Sequence, residues 1–350
     1  MKSWDVIVAG GGIIGLSLAL ALRKRGASVL LVERGEPGRE ASHAAAGMLA
    51  DSPSELPQAL AELAAASAGM YPEFAHELQD ESGMKLDLRG QGTIVLAQEN
   101  GAGSPHGRPD LPAPLAELEP ALAGAECEAI YCQERSVDPR ALSAAALKAA
   151  HHRGVDISSG AEVRECLADR GRVTGVRTGR TEYHAPVVVN CTGAWAGHIS
   201  PVKIPTRPVK GQMLAVVGGP EVRHVIRAPE VYLVPRSDGR ILIGATQEEA
   251  GFDKRTDPST IQQLHQAALR LIPALSQARV HEAWAGLRPG TPDNLPILGE
   301  TAIPGYFVAA GHFRDGILLA PVTAQVMGQL ITGAKLECDL SAFSPLRFGC

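Results

Sequence analysis

The sequence predicts an α/β protein whose first unit is a Rossmann-like strand, turn, helix and strand. Three observations predict it. The apolar run "DVIVAG" has strand length and leads straight into a glycine-rich turn, "GGGIIG". The turn opens into "LSLALALRKRG", which runs helically and stops at Gly26 with Arg23, Lys24 and Arg25 in its last turn, where cations suit the helix dipole. A second apolar strand, "SVLLVER", follows at once and ends on Glu33.

Each element has a reason. Gly10, Gly12 and Gly15 fill the GxGxxG pattern. The first permits the tight turn, the second lets the backbone approach a pyrophosphate, and the third lets helix and strand pack closely. The helix N-terminus offers free N–H groups and partial positive charge to an anion. Glu33 stands where a carboxylate can accept both ribose hydroxyls and disfavour a 2′-phosphate. The unit therefore predicts a bound dinucleotide, and by itself it leaves FAD and NAD open.

The bulk numbers narrow the class. The chain has 350 residues, enough for two lobes or one large domain carrying an inserted second one. Its net charge of −5 and 4% aromatic content argue against a nucleic-acid partner. The apolar stretch Val6–Leu22 has Asp5 before it and the three basic residues after it, the reverse of a signal peptide, and its glycines suit a turn better than a membrane span. The six cysteines form no CxxC pair, which points to reduced thiols of a cytoplasmic protein and to no metal site.

Further along, "GEPGREASHAAAGML", Gly35 to Leu49, is rich in small residues around Ser42, a composition that can lie along a pyrophosphate and reach towards a flavin ring. "APVVVNCTGAWAG" reads as a late strand of the same sheet returning to the nucleotide. "EVYLVPR" and "RILIGAT" flank a Ser-Asp-Gly turn and predict a hairpin. "STIQQLHQAALRLIPAL" has helical periodicity. In "WAGLRPGTPDNLPILG" the prolines, glycines and Asp-Asn pair predict a tight, stiff loop holding Arg288, aimed at an anion or at a salt bridge between lobes.

These segments, with "PVKGQML" and "AAGHFRDGILLAP", occur in order from residue 5 to about residue 330 and resemble the FAD-dependent D-amino-acid oxidase superfamily, most of all its thiamin-pathway glycine oxidase branch. The resemblance implies an FAD-binding domain interleaved with an antiparallel-sheet substrate domain. The first would comprise 1–86, 137–205 and 292–340, the second 87–136 and 206–291, with 341–350 as a C-terminal tail. It implies non-covalent FAD held by Gly10, Gly12, Ile13, Ile14 and Gly15, by Glu33 and Arg34, and by Ser42, Ala45, Ala46, Gly47 and Met48. Later contributions would come from Val163, Thr192, Gly193 and Trp195, from Gly211, Gly286 and Arg288, and from His312, Phe313, Arg314, Asp315, Gly316 and Ile317.

The resemblance also assigns Arg288, Tyr232 and Arg314 to the reacting end. Arg288 would grip the substrate carboxylate with two parallel hydrogen bonds, and Tyr232 would complete that site. Arg314 would stand just before an apolar helix from Ile317 to about Ile331. Met48, Glu230 and His312 would wall the substrate pocket, with His312 structural or in contact with the flavin and not a base. Glu230 stands where the related enzyme carries histidine, and an acid there would disfavour acidic substrates.

The reaction so implied is oxidative deamination of glycine, sarcosine or short D-amino acids by hydride transfer to flavin N5. Reoxidation by O2 would give hydrogen peroxide, with the imine released as glyoxylate and ammonia or passed to thiazole synthesis. No second GxGxxG follows, so a dedicated NADPH domain is not expected. A homo-oligomer, tetramer or dimer, and no stable membrane insertion complete the expectation. The rivals are a quinone-linked dehydrogenase and a partner-binding protein that keeps FAD as a structural ligand. Pro-rich "DSPSELPQAL" is a candidate flap over the pocket, and the segment Asn100 to Pro120 reads as shortened, with a peripheral helix missing.

Overall fold

The computed structural model describes residues 3–52, 56–96, 111–124 and 127–350. Two sheets organise them. The first has six strands in the order Ile297–Glu300, Tyr306–Ala310, Val187–Asn190, Val6–Ala9, Val29–Glu33, Asp156–Ser159. Five run parallel, and the edge strand Ile297–Glu300 is antiparallel to its neighbour. Val6–Ala9 is buried along its whole length because both of its faces are covered. Val6 and Val8 meet the helices, whereas Ile7 and Ala9 meet a three-stranded meander, Val163–Asp169, Arg172–Thr178 and Glu182–His184.

The predicted strand, turn, helix and strand are all present. The helix covers Ile13–Lys24, and Gly26 ends the turn after it at φ +85°. The late strand Val187–Asn190 pairs in parallel with Val6–Ala9, so the loops leaving these two strands lie side by side. They touch at Gly10, whose φ is +106° and where a Cβ would lie 2.4 Å from the Cys191 carbonyl oxygen. At Gly15 a Cβ would lie 1.9 Å from the Gly10 carbonyl oxygen, so the helix packs on the turn only because that position is glycine. This crevice, where the strand order reverses direction, is where open α/β sheets place their ligands.

The second sheet has seven strands in the order Arg279–Gly290, Arg207–Val217, Ile241–Gly244, Tyr232–Pro235, Val225–Arg227, Thr93–Leu96, Ala129–Cys132. Its pairs are antiparallel except Val225–Arg227 with Thr93–Leu96. The predicted hairpin joins Tyr232–Pro235 to Ile241–Gly244. The predicted helix is Pro258–Leu271, capped by Asp257, whose carboxylate accepts the Thr260 N–H at 2.9 Å. Side chains alternate across the sheet. Leu214, Val216, Leu233, Ile241 and Ile243 face this helix, while Met213, Ala215, Val234 and Leu242 face Ala46 and Met48 in the first part of the chain.

Several expectations change. The 25-residue helix Gln58–Ser82 was not among the predicted elements; it buries Leu60, Leu63, Ala64, Tyr71, Ala75 and Leu78 against the first sheet's helices. The apolar helix near the end covers Ala320–Ile331, not Ile317 onward, with Pro321 in its first turn, where a missing N–H costs nothing. Residues 341–350, the expected C-terminal tail, pack against the fold. Phe343 and Cys350 are buried, and Arg347 Nε pairs with Asp293 at 2.8 Å. The candidate flap is described only outside 53–55, and residues 100–110 of the shortened segment also lie outside the described residues.

Candidate active site

A cavity of about 890 Å³ lies between the two sheets, and its lining reaches from Glu33 and Val163 to Arg288 and Glu230. The glycine turn forms one end. The helix Ile13–Lys24 has no acidic residue in its first turn and no capping side chain from its own N-cap, Gly12. Ser42 Oγ accepts the Ile13 N–H at 2.9 Å. Glu33 accepts N–H groups from Gly11 at 2.7 Å and Gly35 at 2.9 Å, which fixes the carboxylate at the strand end. Beside it the Arg34 guanidinium lies 3.6 Å above the Trp195 ring.

The small-residue segment crosses the middle of the cavity and is held from the second sheet. Trp284 Nε1 donates to the Ala44 carbonyl at 3.0 Å. Arg236, buried in the hairpin turn, donates to the Ala46 carbonyl. Burial lowers the Arg236 pKa to about 10, while Asp138 and Asp87 oppose the shift. Close approach needs glycines. A Cβ on Gly286 would lie 2.4 Å from the Ala44 Cβ, and one on Gly47, φ +75°, would lie 1.9 Å from the Val137 carbonyl oxygen.

The far end gathers two cations and a phenol. Arg288 does not sit on a loop, as its neighbours predict. It lies near the end of the strand Arg279–Gly290, paired opposite Val209, and the tight turn begins only at Thr291. Regular pairing with Arg207–Val217 extends the strand through Pro289 and Gly290, because these positions stand at the end of an edge strand. Arg288 Nη1 donates to the Thr246 carbonyl at 3.0 Å and to the Lys210 carbonyl at 3.4 Å. Among the described residues no acidic side chain forms an ion pair with it; the nearby Glu248 carboxylate is taken by Thr246, by Gln212 at 2.9 Å and by Lys210 at 3.6 Å. Burial lowers the Arg288 pKa; Tyr232 opposes the shift and Arg314 adds to it.

Tyr232 is half-buried, and its pKa is raised by burial against the pull of Arg288 and Arg314. Its hydroxyl lies 3.6 Å from Met213 Sδ. Gly244 makes room for both, since a Cβ there would lie 2.9 Å from the Met213 and Tyr232 side chains. Arg314 is exposed within the cavity lining. His312 is buried, with Nε2 3.1 Å from Thr323 Oγ1, and burial holds its pKa at about 3. Asp315 is raised to about 6 by burial, against the pull of Arg314. Glu230 stands at the rim, exposed and paired with Arg270 at 2.6 Å.

The predicted residues therefore converge. Ile13, Ile14, Ala45, Thr192, Gly193, Gly211, Phe313, Gly316 and Ile317 line the same cavity as Met48 and the residues above. Gly15 does not; it serves the packing of helix on turn. Met213, Gly244, Thr246 and Arg236 were missed. Gly244 supplies the space and Thr246 the carbonyl, and nothing in their local sequence announces either.

The family model described as FAD dependent oxidoreductase matches residues 5–330. The chain belongs to this family. FAD is its cofactor, and the chain is an FAD-dependent oxidoreductase. It is 37% identical over 362 residues to a bifunctional ThiO/ThiG protein of Trichormus variabilis, covering 98% of this chain and 55% of that protein. The chain thus spans about half the length of such relatives. It is 32% identical over 358 residues to a glycine oxidase of Pseudomonas aeruginosa, covering 97% of this chain and 98% of that one. The solved glycine oxidase of Geobacillus kaustophilus superimposes with a TM-score of 0.92 at 33% identity, over 99% of each chain.

The site fits the cofactor. The helix end, which has no acidic residue in its first turn and a hydroxyl, Ser42 Oγ, on its Ile13 N–H, suits a pyrophosphate, the fixed Glu33 carboxylate suits a ribose, and the glycines at 10, 47 and 286 keep the cavity walls close without filling them.

Proposed function

We propose that the chain oxidises glycine and other small amines, sarcosine and short D-amino acids among them. The observation that carries the reading is the state of Arg288: a half-buried guanidinium held in place by backbone carbonyls, with no acidic partner among the described residues. Carbonyls orient a cation without neutralising it. Arg314 adds a repulsion to the burial that Arg288 already bears, so an anion beside Arg288 relieves it. A carboxylate suits the planar fork of Arg288, with Tyr232 as a further donor.

Arg288 and Tyr232 would hold the carboxylate and so fix the α-carbon against the segment 44–48. FAD held by the glycine turn, Glu33 and the segment 44–48 would supply the two-electron acceptor for the α-hydrogen, with O2 as the final oxidant reduced to hydrogen peroxide. The amine enters neutral, so no strong base is needed. His312 supplies none, because a group with pKa about 3 cannot hold a substrate proton near neutral pH. The imine product would hydrolyse to glyoxylate and ammonia or supply thiamin thiazole synthesis.

We assign residues 1–86, 137–205 and 292–340 to the cofactor-holding part and 87–136 and 206–291 to the substrate-holding part. The partition of strands between the two sheets supports this. We further propose a cytoplasmic homo-oligomer; among the described residues no helix is long and apolar enough to cross a membrane. The test is to mix the yellow protein anaerobically with glycine and follow the visible flavin band. Bleaching, reversed by air with release of peroxide, is the expected result. No bleaching with glycine, sarcosine, D-alanine or D-proline would overturn the substrate class and leave the family standing.

A further inference from the structure

We infer that Phe252 and Lys254, on the segment that follows Gly244, form a clamp holding the adenosine half of FAD from outside the cavity. The wall beside Glu33 is built from Arg34, Glu40, Trp195 and His198, all of which line the cavity. Phe252 and Lys254 do not line it; they brace that wall. The Phe252 ring lies 5.1 Å from the Trp195 ring at 32° and 5.2 Å from the His198 ring. Lys254 Nζ reaches both Glu40 oxygens, at 3.1 and 3.0 Å. Glu40 in turn pairs with Arg34 Nη2 at 2.7 Å, and Arg34 covers Trp195 at 3.6 Å. The contacts run from Phe252 through Trp195, Arg34 and Glu40 to Lys254, and the chain from Phe252 to Lys254 closes the ring.

Two features give the ring a purpose. Phe252, 41% exposed, is one of three exposed large apolar side chains among the described residues, and its ring contacts are with the cavity wall. The strand Ile241–Gly244 and Phe252 belong to the second sheet's part of the chain, whereas Arg34, Glu40, Trp195 and His198 belong to the first. The segment starts at the reacting end, where Thr246 holds Arg288, and ends at the nucleotide end.

The physical consequence concerns affinity. Arg34 and Trp195 are long side chains at the mouth of a nucleotide site. Unbraced, they must be ordered when the ligand arrives, and that ordering is subtracted from binding. Braced by Phe252 and Lys254, they are ordered beforehand, and the wall must break those contacts before FAD can leave. Both residues act as positioning residues for the cofactor. The inference rests on the adenosine half lying at Glu33 and is independent of which amine is oxidised.

The experiment titrates apoprotein with FAD and, separately, with ADP as a probe of the adenosine half alone. Phe252→Ala should raise the Kd of both ligands by about tenfold, the scale of one ring contact, and speed FAD release by a similar factor. Lys254→Met should raise both by about threefold, since its ion pair is partly exposed. Phe252→Tyr, which keeps a ring in place, should restore wild-type binding. A Kd for FAD within twofold of wild type in Phe252→Ala would overturn the clamp. So would weaker FAD binding with ADP unaffected, or a loss that Phe252→Tyr does not rescue. Flavin bleaching by glycine is read separately in the unsubstituted holoprotein, so failure of the clamp, seen in the Kd values, is distinguishable from failure of the proposed activity.

Discussion

Replacing Gly211 by alanine should disable substrate binding without touching any side chain that binds. Gly211 sits directly opposite Gly286 in the pairing of Arg207–Val217 with Arg279–Gly290. A Cβ at Gly211 would lie 2.4 Å from Nη1, 2.6 Å from Nη2 and 2.7 Å from Cζ of Arg288. Ordinary contact begins at 3.4 Å. The guanidinium must therefore recede by about 1 Å, and a misplacement of that size costs on the order of 100-fold in a positioned reaction. Moving away from the strand pulls Nη1 off the Thr246 and Lys210 carbonyls and pushes the fork into the space meant for the carboxylate. The backbone tolerates alanine, because Gly211 has no positive φ and lies in a regular strand.

The assay is anaerobic flavin reduction over a range of glycine concentrations, with acetate as a carboxylate that binds without reacting. In Gly211→Ala the glycine concentration for half-maximal reduction should rise by about 100-fold and acetate binding should weaken in parallel. FAD content and Tm should stay near wild type. Unchanged glycine and acetate affinities with alanine in place would refute the reasoning, since Arg288 would then have moved without consequence.

Three further outcomes are expected. Arg288→Ala should weaken binding of carboxylated amines by about 3–5 kcal/mol, the cost of leaving one charge of a buried pair without its partner, while FAD stays bound; an unchanged KM would make Arg288 a strut between the two sheets. Asp315, raised to about 6 in the fold, binds its proton more tightly folded than unfolded, so apoprotein stability should be highest below pH 4 as far as this group goes, and fall as pH rises to about 6. Asp315→Asn should remove that loss and stabilise the apoprotein by about 2–3 kcal/mol at pH 7.5 but not at pH 4; equal Tm gains at both pH values would contradict it. His312, held at about 3, stays neutral throughout the working range, so His312→Asn should leave the pH dependence of kcat/KM between pH 5.5 and 9 unchanged in shape, whatever its effect on rate.

The nucleotide end of the molecule was legible in the sequence because its chemistry is local. Gly10, Gly12, Gly15 and Glu33 act within one strand, turn, helix and strand, and spacing along the chain is the same thing as spacing in space there. The hairpin at Ser237–Gly239 and the helix capped by Asp257 were legible for the same reason. The helix Gln58–Ser82 was not, because its alanine-rich pattern marks its burial only once the neighbouring helices are in place.

The substrate end was legible only as a list of residues. The sequence points to Arg288 but sets it on a loop. The tertiary structure sets it on a strand, because pairing with Arg207–Val217 overrides the turn-forming residues that follow it. What aims the guanidinium is a carbonyl 42 residues away, at Thr246, and a bare backbone at Gly211 on the neighbouring strand. A carbonyl acceptor carries no side-chain identity, and a glycine's empty volume is defined only by what fills it. Composition and motif determined that this protein holds a dinucleotide. Only the juxtaposition of two sheets decided that a cation with no acidic partner among the described residues faces it, because charge balance is a property of neighbours in space and not of neighbours in sequence.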